Sequence, residues 1–244
     1  MRVCRVACAA LALAGFAVGS AAAAPVRASS DAPPASLLSS DAVHGAAIDP
    51  VLAHVKVERL RCSFSEEKHI ALLARPLRST GTITFARDKG IARTTLTPRP
   101  QQVVLTPTSL RIYKDKRSEE IPLDKSKDLK AFALIFPTLL RGERSELERA
   151  FDIGLHGKAT DWWALAFTPR ADSLRALVRS VVVFGRNTEV VSLRVVEASG
   201  DTTDTRFTEI QKNGDVADAE IATAFAAPVG TPVGTPVGTP VETR

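Results

Sequence analysis

From residue 80 onward, apolar and polar side chains alternate with a period of two over most of the chain. Gly81, Ile83 and Phe85 fall on one side of an extended segment, and Thr80, Thr82 and Thr84 fall on the other. This is the pattern of a strand with one covered face. Arg87-Asp88-Lys89-Gly90 supplies a turn into a second strand over 91–97. Segments 102–106, 109–114 and 119–123 continue the meander, punctuated by Pro107 and by Lys114-Asp115-Lys116-Arg117. Alternation resumes at 151–156 and 162–168, where Trp163, Leu165 and Phe167 oppose Trp162, Ala164 and Ala166. Segments 177–184 and 190–197 are rich in β-branched residues, with Gly185-Arg186-Asn187 as the hairpin between them. A last strand covers 203–210, followed by a turn at Asn213-Gly214.

Two stretches break this period. Asp49 as N-cap and Pro50 at the first helical position open a helix whose apolar face is Val51, Leu52, Val55 and Leu60. Across 128–141, Leu129, Phe132, Ile135, Phe136, Leu139 and Leu140 form a stripe about 140° wide at helical spacing. Pro137 lies inside it, where it kinks or splits a helix. Residues 143–150 read as a short charged helix, and 217–225 as a final turn or two. The sum is about ten antiparallel strands, with a helix at the start and another inserted midway. That is an α+β architecture, one large curved antiparallel sheet with helices packed on one side.

The ends follow other rules. Two arginines within the first five residues precede the uncharged run 6–18, and then Ala21 to Ala24 and Pro25 follow. This is the order of a secretory signal peptide over residues 1–24, cut near Ala24. Residues 25–47 read as a flexible Pro/Ala/Ser leader, 48–227 as one domain, and 228–244 as a disordered tail built on Pro-Val-Gly-Thr repeats. Of three cysteines, Cys4 and Cys8 lie in the signal peptide, leaving Cys62 without an internal disulfide partner. The domain is held by its core, with Cys62 as a small apolar filler.

Charge and composition narrow the function. The formal charge is +5, and falls to +3 once Arg2 and Arg5 leave with the signal peptide. Aromatic residues make up only 5% of the chain. Neither supplies the concentrated basic face and stacking platform that a nucleic-acid binder needs. His44, His54, His69 and His156 lack metal-ligand spacing, and no nucleophile-elbow, P-loop or dinucleotide-binding signature is present. Glu66-Glu67 and Glu119-Glu120 are neighbours on strands, so each pair points to opposite faces and cannot act on one substrate. No catalysis, cofactor or metal is expected.

Several local motifs, in this order and spacing, resemble the LolA family of periplasmic carriers for outer-membrane lipoproteins. Leu60-Arg61-Cys62-Ser63-Phe64-Ser65-Glu66 matches a Phe-Thr-Gln-type strand, and the strand from Gly81 to Arg87 ends on the family's arginine. Leu105 to Tyr113 matches a strand–turn–strand bearing an aromatic, and Trp163 to Pro169 a Trp-x-Leu-x-Leu-x-Pro strand. Gly200 to Thr203 and Asn213 to Phe225 resemble the family's C-terminal elements. Asp88 replaces the usual proline after the arginine, and Ser65-Glu66 replaces Thr-Gln, as in a divergent branch.

The resemblance implies an incomplete β-barrel (a half-barrel) closed by helices around an apolar cavity. Strand residues expected to line it are Ile83, Phe85, Leu105, Ile112, Trp163, Leu165 and Phe167. Phe132, Ile135, Phe136 and Leu139 would come from the lid helix. By periodicity alone, the same residues read equally as a filled core. Arg87 is expected to latch the lid and couple its opening to cargo transfer, since a guanidinium can hold several carbonyls at once. The implied function is a monomeric periplasmic carrier taking acylated cargo from an inner-membrane release complex to an outer-membrane acceptor. The alternatives are a carrier of another acylated or polyene-type lipid, and a lipid-sensing regulatory domain.

Overall fold

The computed structural model describes residues 32–125 and 127–228; the expected signal peptide, residues 25–31 of the leader and the repeat tail beyond Pro228 lie outside the described residues. The chain folds as one eleven-stranded antiparallel sheet, open at both edges, with helices on its faces. Helix α1 (Asp49–Val55) leads into the first meander: β1 (Arg59–His69), β2 (Leu77–Ala86), β3 (Gly90–Thr97), β4 (Gln101–Leu105), β5 (Ser109–Lys114) and β6 (Arg117–Pro122). Helices α2 (Lys127–Ala133), α3 (Ile135–Arg141) and α4 (Arg144–Ala150) follow. The second meander is β7 (Phe151–Gly157), β8 (Trp162–Pro169), the single turn α5 (Asp172–Arg175), β9 (Val178–Arg186), β10 (Glu189–Glu197) and β11 (Thr202–Lys212), before a closing helix α6 (Asp218–Phe225).

The sheet order is β6-β5-β4-β3-β2-β1-β11-β10-β9-β8-β7, so β1 and β11 sew the two meanders together. Strands β6 and β7 are consecutive in sequence yet lie at opposite edges. Eleven flat strands would span about 48 Å, so the α2–α4 segment must cross a whole face of the sheet. On that inner face, Leu60, Cys62 and Phe64 of β1 join Ile83 and Phe85 of β2 and Trp163, Leu165 and Phe167 of β8. Helices α1 and α3 cover them with Val51, Leu52, Ile135, Leu139 and Leu140. The outer face is covered by the chain ends. Helix α6 lays Ile221 and Phe225 against Ala86, Ala92, Val104 and Tyr113, and Leu37 packs on Ala164, Val182 and Phe184.

Three expectations change. Leu60, assigned to the first helix, belongs to β1, because α1 stops at Val55 and Lys56 takes an extended backbone. Residues 37–47, expected within a flexible leader, include docked positions. Val43 pairs with Leu155 on the β7 edge, and the imidazole Nδ1 atoms of His44 and His156 lie 2.8 Å from the carbonyls of Ile153 and Ser40. Edge pairing uses backbone groups, which periodicity does not register. Lastly, Gly185 lies inside β9 rather than in the hairpin, where Asn187 takes the left-handed backbone (φ +51°). Gly185 pairs with Trp163, and a Cβ there would stand 2.0 Å from the indole Cζ2 and 2.5 Å from the Glu189 carbonyl oxygen.

That contact generates a test. The Trp163 ring is wholly buried across Gly185, and its Nε1 donates to the Asn187 carbonyl at 3.0 Å. Gly185→Ala has no low-cost relaxation, because one clashing neighbour is backbone. It is expected to destabilise the fold by about 3 kcal/mol, read as a lowered denaturation midpoint with Trp fluorescence as the probe.

Candidate functional site

Pro137 decides how the crossing segment is built. The proline lacks an N–H and its ring would clash with the carbonyl four residues earlier, so one continuous helix over 127–141 is excluded. The helix ends at Ala133 and restarts at Ile135, which puts Pro137 in the first turn of α3, where its missing donor is harmless. The Leu134 amide still bonds to Lys130 O (3.0 Å), and Thr138 N bonds to Leu134 O (2.9 Å), so the break is sharp.

Beneath that break lies an apolar cleft. Ala133, Phe136 and Pro137 form its roof, Ile83, Ile91, Val103 and Leu105 one wall, and Leu193 and Phe207 the other. Arg93 and Thr205 are its polar lining residues. Its water-accessible volume is about 40 Å³, against roughly 300–1,000 Å³ for sites that enclose small molecules. A second gap of about 10 Å³ lies on the other side of Phe136, between Cys62, Leu140 and Val190. Phe136 borders both spaces and stacks on Phe207 with ring centroids 5.6 Å apart. In this arrangement α3 fills the inner face, and the ring of Phe136 divides what space remains.

The structure distributes the expected lining residues unevenly. Ile83, Leu105 and Phe136 border the cleft. Phe85, Phe132, Ile135, Leu139, Trp163, Leu165 and Phe167 are sealed in the core around it. Ile112 is half-buried against the small cluster of Leu110 and Leu123 beneath Ala133. Arg87 stands at the end of β2. Its Nε lies 2.7 Å from Glu58 Oε2, without hydrogen-bond alignment, and its amide donates to the Glu58 carbonyl at 3.0 Å. Glu58 belongs to the α1–β1 loop, whose Val57 N donates to Leu140 O of α3 at 2.9 Å. Arg87 thus holds the α1–β1 loop, which is bonded to α3, and neither of these two Arg87 contacts is with α3 itself.

Glu66, read from the sequence only as half of a non-cooperating carboxylate pair and as a departure from Thr-Gln, meets Arg93, which that reading did not single out, in a buried ion pair beside the cleft. Glu66 continues the inward row Leu60-Cys62-Phe64 of β1, while Glu67 points outward to Arg78, 2.8 Å away. Arg93, inward on β3, reaches over the Phe64 ring at 4.1 Å and forks onto Glu66. Its Nη1 and Nη2 each donate at 2.9 Å to one carboxylate oxygen. Ser79 and Thr205 donate to the same carboxylate at 3.2 and 2.9 Å. Glu66 is only 1% exposed and Arg93 6%. The signal available in sequence is a charge on an inward position of each of two strands, Glu66 after Cys62 and Phe64, and Arg93 after Ile91.

Cys62 lies beneath Phe136 and Leu140, and burial pushes its thiol up to about 12. Alkylation at pH 8 is expected to be about a thousandfold slower than for an ordinary exposed thiol, and to reach the ordinary rate on unfolding. Mass spectrometry of iodoacetamide-treated protein measures both.

Residues 39–229 match the family described as outer membrane lipoprotein carrier protein LolA-like. No curated protein shows a significant sequence match to the chain. Among solved structures, a LolA superfamily protein from Nitrosomonas europaea is 11% identical with a TM-score of 0.40, covering 73% of this chain and 97% of its own. MucA/MucB from Pseudomonas aeruginosa gives 15% identity and a TM-score of 0.41, over 78% of this chain and 62% of that one. A putative outer membrane lipoprotein-sorting protein domain from Vibrio parahaemolyticus gives 6% and 0.37, over 72% and 95%. With more than three-quarters of its length matched by the family, the chain belongs to the LolA-like outer membrane lipoprotein carrier family.

Proposed function

We propose that this protein is a periplasmic carrier that shelters the acyl chains of outer-membrane lipoproteins, or of related lipids, and moves them from the inner to the outer membrane. The observation that carries the reading is the apolar cleft roofed by a helix broken at Pro137. An acyl chain left in water costs about 0.8 kcal/mol per CH₂, so transfer between membranes needs a dry shelter. In the closed state that shelter is occupied by the protein's own Phe136, Ile135 and Leu139. Acyl chain and lid side chains are interchangeable partners for the inner face, because hydrophobic contact is not directional. Loading then replaces one apolar cover with another and leaves a small net free energy, which suits a carrier that must also unload.

Arg87 enters as a positioning residue: it holds Glu58, and the adjoining Val57 holds the C-terminal end of α3. The signal peptide over 1–24 would deliver the chain across the inner membrane, with a release complex as donor and an outer-membrane acceptor as recipient. Among the described residues, no helix is long and apolar enough to cross a membrane.

The test is lipid extraction and mass spectrometry of the mature protein, purified from periplasm without detergent, beside a vesicle-to-vesicle transfer assay. Bound lipid or co-purified lipoprotein together with transfer supports the carrier. Lipid held without transfer points to a sensor, and neither sinks the proposal. Arg87→Ala removes a partly exposed ion pair and is expected to change stability by less than about 1 kcal/mol. Its transfer rate should change several-fold, measured in the same assay.

A further inference from the structure

A buried ion pair is a poor device for stability, since well-packed apolar residues of the same volume do as well or better. Glu66 and Arg93 nevertheless occupy inward positions, and Arg93 borders the cleft whose other lining, Thr205 apart, is apolar. Their arrangement has two consequences. First, Arg93 and Thr205 are where a polar group entering with an acyl chain meets polar partners. Second, the fork onto both oxygens of Glu66 balances the guanidinium charge before any ligand arrives. A carboxylate pushed into that space would come to lie beside Glu66 with no cation left to offset it. Buried charge without compensation is strongly disfavoured. An ester or amide adds no charge, so it can lie at that polar end without bringing a second buried anion beside Glu66.

We propose that the Glu66–Arg93 pair, with Thr205, forms the polar end of the cleft and selects acyl chains carrying a neutral ester or amide linkage over free fatty acids. The inference rests on the carrier reading, and it assigns which residues read the cargo's polar end. The row of strands fixes the placement. Ser79, Glu66 and Thr205 are direct cross-strand neighbours on β2, β1 and β11, and Arg93 reaches them from β3 across Gly81 and Phe64. The four residues sit on four adjacent strands of one sheet, whose register holds the pair in place.

The test compares 1-monolauroylglycerol with laurate at pH 8, each by displacement of a bound apolar fluorophore, in three folded proteins. The wild type should prefer the ester at least tenfold. Glu66→Gln keeps the hydrogen-bonding shape and leaves the Arg93 charge uncompensated, so laurate should gain at least tenfold relative to the ester. An unchanged ratio in that variant overturns the proposal, as does a wild-type ratio near one. Should Glu66→Gln not fold, the double variant Glu66→Met/Arg93→Met decides. It removes both charges at similar volume and should bind the ester at least fivefold more weakly, whereas equal or tighter binding overturns the proposal. Failure of the carrier reading looks different: all three proteins fold and none binds either probe.

Discussion

The pairing of β1 with β11 is the contact on which the rest of the molecule depends. Each meander can form from local hairpins, but the two become one sheet only where residues 59–69 meet residues 202–212. Glu66 and Thr205, joined across this seam, are 139 positions apart in sequence. Closing so long a loop is entropically costly before any packing rewards it. The seam is correspondingly well provisioned. Phe64 faces Phe207, Glu66 accepts from Thr205 on one side and from Ser79 on the other, and Lys68 reaches past β11 to Glu197 of β10. Without this pairing there is no continuous inner face for the helices to cover.

The crossing helical segment follows from the same topology. Because the two meanders join through their first and last strands, β6 and β7 are left at the far edges, and the segment between them must traverse the sheet. An apolar stripe on that segment makes the traverse a roof, and Pro137 divides the roof into two short helices. Neither α2 nor α3 exceeds seven residues, and helices of that length owe their existence to tertiary contacts rather than to their own propensity. A roof of this kind can shift one piece at a time, with the sheet as the fixed element. Segments near the two ends of the described chain cover the outer face, so both faces of the sheet are packed.

The strands were legible because each carries a one-sided pattern; Gly81-Ile83-Phe85 and Trp163-Leu165-Phe167 both face inward as their alternation requires. Strand β1 was the hardest to read by periodicity, although it is the centre of the sheet. Leu60, Cys62 and Phe64 alternate correctly, but the row continues into Glu66, and a carboxylate reads as the end of an apolar face. It was the resemblance to a Phe-Thr-Gln-type strand, not the alternation, that marked it. What alternation cannot convey is depth. Phe85 and Ile83 share a face, yet one is sealed and the other borders the cleft. The difference is set by where α3 lies, and that depends on a crossing no local window contains.

Glu66 and Arg93 also show why the departure from the family pattern is informative. Where the resemblance places a neutral amide, this chain has a carboxylate, and two strands away an arginine lies on the same face. Neither charge is tolerable alone. A lone Glu66 or a lone Arg93 would be a charge buried in an apolar cleft, a loss of several kcal/mol. Together, with Ser79 and Thr205 as further donors, the carboxylate is fully satisfied and the face is polar without being charged. The two residues therefore form one unit, a balanced ion pair set on the β1–β11 seam at the polar end of the cleft.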